Sequence, residues 1–281
     1  MTLRKQENDG PRSGKPAEKL RQNFQVESLP VHVYATQRDL AQDAAGVAND
    51  YLNKILTFQE SVRIILATGN SQMQFLDALI GLRSVDWSRV VFFHMDEYLG
   101  ISADHKASFR RYLKERVEQR IKPRCFHYLE GDTALPIDEC ERYANLLTEL
   151  PIDLCCLGIG ENGHLAFNDP PVADFADQRV VKIVQLDLAC RQQQVDEGHF
   201  PDIPAVPQYA LTLTIPALCS AQKMICIAPE KRKARAVKDA LEGPITTACP
   251  ASILRRQSHA MLFLDADSAS LLTGLSRRGV R

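Results

Sequence analysis

From Phe24 onward, short apolar runs alternate with stretches whose apolar residues recur at helical spacing. The runs at 32–35, 62–67, 90–95, 152–157, 180–186, 209–214, 223–228 and 261–264 predict strands, being short and rich in branched and aromatic residues. Helices are predicted over 37–58, 72–82, 108–120, 137–149 and 231–241. In the second of these, Phe75, Leu76, Leu79 and Ile80 share one face, and Ser108 or Ser102 can cap the third. Strands alternating with helices predict an α/β fold with a doubly wound, mostly parallel sheet. The segment 170–207 reads as loop-rich and able to move, either as a lid beside a site or as a plain surface excursion. Residues 1–24 are polar, with Asp9-Gly10-Pro11 and Gly14-Lys15-Pro16, and read as a disordered leader before a single domain over 25–281.

The totals narrow the function classes. With 34 basic and 35 acidic residues the net charge is −1, so no global field points to nucleic acid or a membrane surface as partner. No apolar stretch is long enough to span a bilayer, and the N-terminus lacks a signal core. The eight cysteines show neither Cys-x-x-Cys nor zinc-type spacing, and Cys155-Cys156 sit inside an apolar run. Reduced core thiols in a cytoplasmic protein, with no structural metal, are expected.

In open parallel sheets, ligands bind beyond the carboxyl ends of the strands. Three polar loops fall at such ends. Gly158-Ile-Gly-Glu-Asn-Gly-His164-Leu-Ala-Phe-Asn-Asp169 matches the dinucleotide fingerprint literally, but Pro170-Pro171 follows too soon for the helix that fingerprint must open. The turn instead delivers His164, either as a core histidine or as an acid/base group, and a carboxylate at Asp169. Thr68-Gly69-Asn70-Ser71 joins a strand to a helix, as an anion site or as a plain capped turn; it lacks the Gly-Lys-Ser/Thr ending of a P-loop. Asp96 and Glu97 are adjacent carboxylates at a strand end, either a capping pair or a functional one. Neighbours on a strand face opposite ways, so one can enter a cleft while the other makes structural hydrogen bonds. Lys231-Arg-Lys233 is mainly a solvated basic face from which one lysine could neutralise a phosphate.

Taken together, Ala67-Thr-Gly-Asn-Ser71, Phe93-His-Met-Asp-Glu-Tyr98 and Gly158–Pro170 resemble, in order and spacing, the glucosamine-6-phosphate deaminase/isomerase family. Asp104-His105 with Ser108, Val206-Pro-Gln-Tyr-Ala-Leu-Thr212, and Lys233-Ala-Arg-Ala-Val237 before Glu242-Gly243 support it, and the likeness runs from about Val31 to Leu272. It implies a Rossmann-like α/β domain, a sugar-phosphate substrate, no redox cofactor, and either a monomer or a homo-oligomer. It also implies conversion of glucosamine 6-phosphate to fructose 6-phosphate and ammonia. In that reading His164 opens the pyranose ring and Asp96 takes the C2 proton. Thr68, Gly69, Asn70 and Ser71 hold the phosphate, with Lys233 as counter-charge and Glu97 and Glu161 as supporting carboxylates.

Several positions depart from the family pattern. Asn162 stands where Asp is common, and Asp169 where Glu is usual, one methylene shorter. Asn70 replaces a small residue. The family's phosphate-binding arginine should fall near Gln194 or Asp196, with Arg191 the nearest arginine. Two other readings share the pocket. One is a hydrolase of the 6-phosphogluconolactonase type, disfavoured by Leu165-Ala-Phe-Asn after the histidine; the other is a sugar-phosphate sensor that has lost turnover.

Overall fold

A computed structural model describes residues 20–273. Its strands are β1 (Leu20–Val26), β2 (Leu29–Tyr34), β3 (Val62–Leu66), β4 (Val90–His94), β5 (Asp96–Tyr98), β6 (Cys125–His127), β7 (Leu154–Leu157), β8 (Val181–Gln185), β9 (Tyr209–Leu213), β10 (Lys223–Ile227) and β11 (Ala260–Asp265). The helices are α1 (Gln37–Leu56), α2 (Met73–Gly81), α3 (Phe109–Leu113), α4 (Pro136–Thr148), α5 (Leu188–Asp196), α6 (Ile215–Cys219) and α7 (Ala234–Glu242).

Eight strands form the main sheet in the order β1-β2-β11-β10-β7-β3-β4-β6. All neighbours are parallel except the β1–β2 hairpin at one edge. The chain winds outward from β3 through β4 to β6, then returns on the other side through β7, β10 and β11. The direction of winding therefore reverses between β3 and β7, and the loops leaving those two strands flank the crevice where such sheets hold ligands.

Both faces of the sheet are covered, which is why the central strands read as continuous apolar runs. All five residues of β3 are buried. Along β7, Cys155 and Leu157 enter one core with Tyr143 and Leu147 of α4 and Val237 of α7; Leu154 and Cys156 enter the other with α1 and α2. Helix α1 follows Thr36, whose hydroxyl accepts from Asp39 N–H at 3.1 Å, and presents Leu40, Ala44, Ala48, Leu52 and Ile55 to the sheet at helical spacing. Each buried Leu or Ile on that stripe contributes about 1.5–3 kcal/mol.

Four expectations change. Strand β1 begins at Leu20, so the boundary drawn at residue 24 falls inside a strand; residues 1–19 of the expected leader lie outside the described residues. The predicted strands at 180–186 and 209–214 belong to a separate three-stranded antiparallel sheet, ordered β5-β9-β8. The helix predicted over 108–120 is a short α-helix running into a π-helical turn at Lys114–Glu118.

The segment 170–207 is also more ordered than expected. It carries β8, α5 and a short 3₁₀ turn, and it packs Cys190, Phe200 and Val206 onto Tyr98, Phe109 and Phe167 as a third core. Helix α5 escapes sequence reading because its nine residues include three consecutive glutamines and few apolar residues.

Candidate active site

One pocket lies over the crevice, built from the loops after β3, β4, β7 and β10 and roofed by α5. From β3 the chain turns through Gly69 at φ +97°, a left-handed conformation that favours glycine, into a 3₁₀ turn at Asn70–Gln72 and then α2. Tyr112 donates from its hydroxyl to Gly69 O at 2.9 Å and pins this loop. Thr68, Gly69, Asn70 and Ser71 all line the pocket, ahead of a helix whose N-terminal dipole favours an anion.

Asp96 and Glu97 divide as the strand geometry requires. The main sheet's β4 ends at His94, and the chain crosses to the small sheet, where Asp96 pairs with Thr212 of β9. Asp96 lines the pocket, and among the described residues no hydrogen bond reaches its carboxylate. Burial, then the neighbouring Glu97 charge, holds its carboxyl well above the ordinary range. Glu97 faces away and is fully buried. It accepts from Ser108 Oγ at 2.7 Å and from the N–H groups of Tyr98, Phe109 and Arg110 at 3.0, 3.2 and 3.0 Å. A carboxylate from another strand thus caps α3, and Ser108 sits at the N-cap while donating to it. The candidate support role of Glu97 is therefore structural, outside the pocket.

The Gly158–Asp169 turn opens no helix after Gly163, in keeping with rejection of the dinucleotide reading. Its bends are fixed instead by Gly160 N–H donating to His164 O at 2.9 Å and by Asn168 donating to Leu165 O and Leu213 O at 2.9 and 2.8 Å. His164 Nδ1 lies 2.8 Å from Asn162 Oδ1 and 2.9 Å from Asp169 Oδ1. Both neighbours are oxygens, so the network assigns the neutral ring's proton to Nδ1 and its lone pair to Nε2. Asn162 Nδ2 donates to the same Asp169 oxygen at 2.9 Å, and Asp187 N–H reaches the other at 3.3 Å. Burial opposes ionisation of Asp169, but His164, Asn162 and the Asp187 N–H together hold its carboxyl below the usual range.

The two departures beside His164 therefore complement each other. Asp169, though a methylene short, contacts the ring directly. An amide at 162 can bridge ring and carboxylate, where a second carboxylate would face the first across a shared histidine.

The second glycine of the false fingerprint has its own reason. A Cβ on Gly160 would fall 2.2 Å from Cε1 of His164 and 2.3 Å from Nδ1 and Nε2. Gly160→Ala should push the ring off its two oxygens and cost on the order of 10²-fold in turnover, with melting little changed. Steady-state kinetics beside a melting curve check this, and unimpaired kinetics would show that the ring has room to give.

Lys233, buried at the start of α7, lines the same pocket as the β3 loop. Burial first, then Arg232, brings its ammonium down to about 8, against the pull of Glu197, Glu161 and Glu230. Arg191 lies outside the pocket lining. Its guanidinium donates to Ile203 O at 2.6 Å and Val206 O at 3.0 Å, bracing the segment after α5, and the roof presents Gln193, Gln194 and Glu197 instead. Glu161 lies outside the lining, paired with Arg232 at 3.0 Å while its N–H donates to Gln193. Sequence reading missed Glu197 and Arg232, since no motif relates two polar residues so far apart along the chain. His94 also went unassigned. It is buried, its pKa brought down to about 3 by burial, and its Nε2 accepts from Leu129 N–H at 2.8 Å, a structural role.

The chain matches the family described as glucosamine-6-phosphate isomerases/6-phosphogluconolactonase over residues 35–263. A glucosamine-6-phosphate deaminase of Exiguobacterium sibiricum is 35% identical over 239 residues, spanning 85% of this chain and 92% of that one. One from Lactobacillus delbrueckii subsp. bulgaricus is 33% identical over 208 residues, 74% of this chain and 86% of its own. A solved structure described as a monomeric glucosamine-6-phosphate deaminase superposes with a TM-score of 0.79 at 32% identity, covering 86% of this chain and 99% of its own. The 6-phosphogluconolactonase of Thermotoga maritima, at 20% identity and a TM-score of 0.68 over 84% of this chain and 98% of its own, shares the fold. By these matches the chain belongs to the glucosamine-6-phosphate isomerase/6-phosphogluconolactonase family.

Proposed function

We propose that the chain deaminates and isomerises an amino-sugar phosphate, glucosamine 6-phosphate, to fructose 6-phosphate and ammonia. The observation that carries this reading is one pocket lined together by an unpaired buried carboxylate, an oriented histidine, the Thr68–Ser71 loop and a lysine. Thr68, Gly69, Asn70, Ser71 and Lys233 hold the phosphate. His164, its Nδ1 committed to Asn162 and Asp169, uses Nε2 to move a proton between the anomeric and ring oxygens and open the ring. Asp96 then takes the proton from C2; that electron pair forms the C1=C2 double bond of the enolamine while the aldehyde π pair moves onto O1, which takes up a proton to become a hydroxyl. Asp96 returns the proton to C1, leaving an imine at C2. Water adds to that imine and ammonia leaves, giving the ketose.

A carboxyl held high suits this task, since a base whose affinity for protons lies nearer neutrality both accepts and returns one. The lactonase reading gives no task to a base placed for a carbon acid. Incubation with glucosamine 6-phosphate, galactosamine 6-phosphate and 6-phosphogluconolactone, following ammonia, ketose phosphate and acid release, separates the two. Acid release from the lactone with no ammonia from either sugar would overturn the deaminase reading. We place the enzyme in the cytoplasm, where its eight free thiols stay reduced. No described helix is long and apolar enough to cross a membrane. For its assembly, the solved relative described as monomeric is the precedent, and sedimentation decides between that and a homo-oligomer.

The charged groups also set a pH profile. Asp96 must be ionised, so kcat/KM should fall as pH drops through its raised value, above the usual carboxylate range. Lys233 must be protonated, so kcat/KM should fall again as pH rises through about 8. An arginine stays charged throughout, so Lys233→Arg should abolish the alkaline limb. A limb that persists unmoved in that variant would assign it to another group.

A further inference from the structure

The roof of this pocket carries a carboxylate. Glu197 caps the C-terminus of α5, and its side chain is only 7% exposed. Arg232 grips that carboxylate, Gln193 Nε2 donates to it at 2.7 Å, and His199 Nε2 lies 3.3 Å away. It lines the same pocket as Thr68–Ser71 and Lys233. Arg232 is shared, with Nη1 also 3.0 Å from Glu161 and Nε 2.5 Å from Glu230. Of this cluster Glu197 alone lines the pocket, beside Lys233, while Arg232, Glu161 and Glu230 stand behind it.

We propose that Glu197 sets the site's affinity for phosphate: a built-in anion in the same pocket as Lys233, it opposes the substrate's phosphate there and keeps the site's grip on it weak. This rests on the phosphate-binding half of the proposed function. A like charge beside a bound dianion costs affinity, more so where both are desolvated. The cost falls on substrate and product alike, because both carry the same phosphate. The residue therefore loosens binding uniformly and speeds product departure at the expense of a higher KM. Glu197 is itself held ionised: burial opposes its charge, but His199, Arg232 and Gln193 bring its pKa down to about 2, so it stays charged across the working range.

The test is Glu197→Gln, which keeps the shape and removes the charge. Titration calorimetry at pH 7 with inorganic phosphate as probe should show binding tighter by about tenfold. KM for glucosamine 6-phosphate should fall alongside it. The alkaline limb of kcat/KM should also move below its wild-type position near 8, since Glu197 is the largest of the charges that raise the Lys233 pKa. A purely structural latch would move neither quantity in these directions. Glu197→Ala removes the hydrogen bonds to Gln193 and His199 as well; equal tightening in both variants assigns the effect to charge, and a melting curve confirms that each is folded. Phosphate affinity unchanged or weakened in both folded variants would overturn the role of Glu197 while leaving the proposed function standing. No phosphate binding to wild type or variant would overturn the anion site, and both readings with it.

Discussion

Asp96→Asn should lower kcat by about 10³- to 10⁴-fold while leaving KM within a few-fold of wild type. The amide fits the same buried position on β5 but cannot accept a proton from carbon. Glu97, one residue on, cannot substitute, because its oxygens are occupied by Ser108 and the N–H groups of Tyr98, Phe109 and Arg110. The diagnostic readout is exchange of the C2 hydrogen into deuterated water, followed by NMR, which should vanish in the variant. Exchange at the wild-type rate would show that another group is the base, and Asp96 would then be a binding residue.

Asp169→Asn carries the second-largest expectation, a loss of about 10²- to 10³-fold in kcat. One Asp169 oxygen accepts from His164 Nδ1–H and Asn162 Nδ2; the other accepts from Asp187 N–H. An amide offers one oxygen and one donor. In either orientation its NH₂ meets a donor, so the histidine loses its oxygen or the backbone N–H does. Asp169→Glu, which restores the charge one methylene longer, should recover part of the activity. Because the loss concerns ring opening rather than C2 chemistry, residual C2 exchange should persist at the reduced rate of turnover. Full activity in Asp169→Asn would mean that Asn162 alone orients the ring.

The strands that frame the crevice were readable because they are buried on both faces. The runs at 62–67 and 152–157 carry a continuous apolar signal that loop residues do not imitate. The candidate site residues were readable for a related reason, since Thr68 and Asp96 follow directly on such runs and His164 lies in the glycine turn after another. What stayed hidden has equally physical causes. Strand β5 is three residues long and follows β4 after one residue, so no change of pattern marks the passage from one sheet to the other. Helix α5 is held by a few apolar contacts and by Glu197 at its C-terminal end rather than by an apolar stripe. The cluster joining Glu161, Glu197, Glu230 and Arg232 depends on three loops meeting, and each member alone looks like a solvated charge. Arg191 shows the converse failure: the right residue type near the right place, turned toward backbone carbonyls by the fold.

The crossing at Met95 has a consequence for how this scaffold can diversify. The groups proposed to grip the ligand stand on the large parallel sheet, whereas the group proposed to react with its carbon stands on the small antiparallel one. Holding and transforming are thus inherited from separate pieces of architecture, joined by an aromatic seam of Tyr98, Phe109 and Phe167. A lineage could remodel the small sheet to offer a different reactive group, or none, and keep its hold on phosphorylated sugars throughout. Divergence by that route would leave the anion loop as the shared ancestral element and make the residues bordering β5 the informative record of which chemistry each descendant kept.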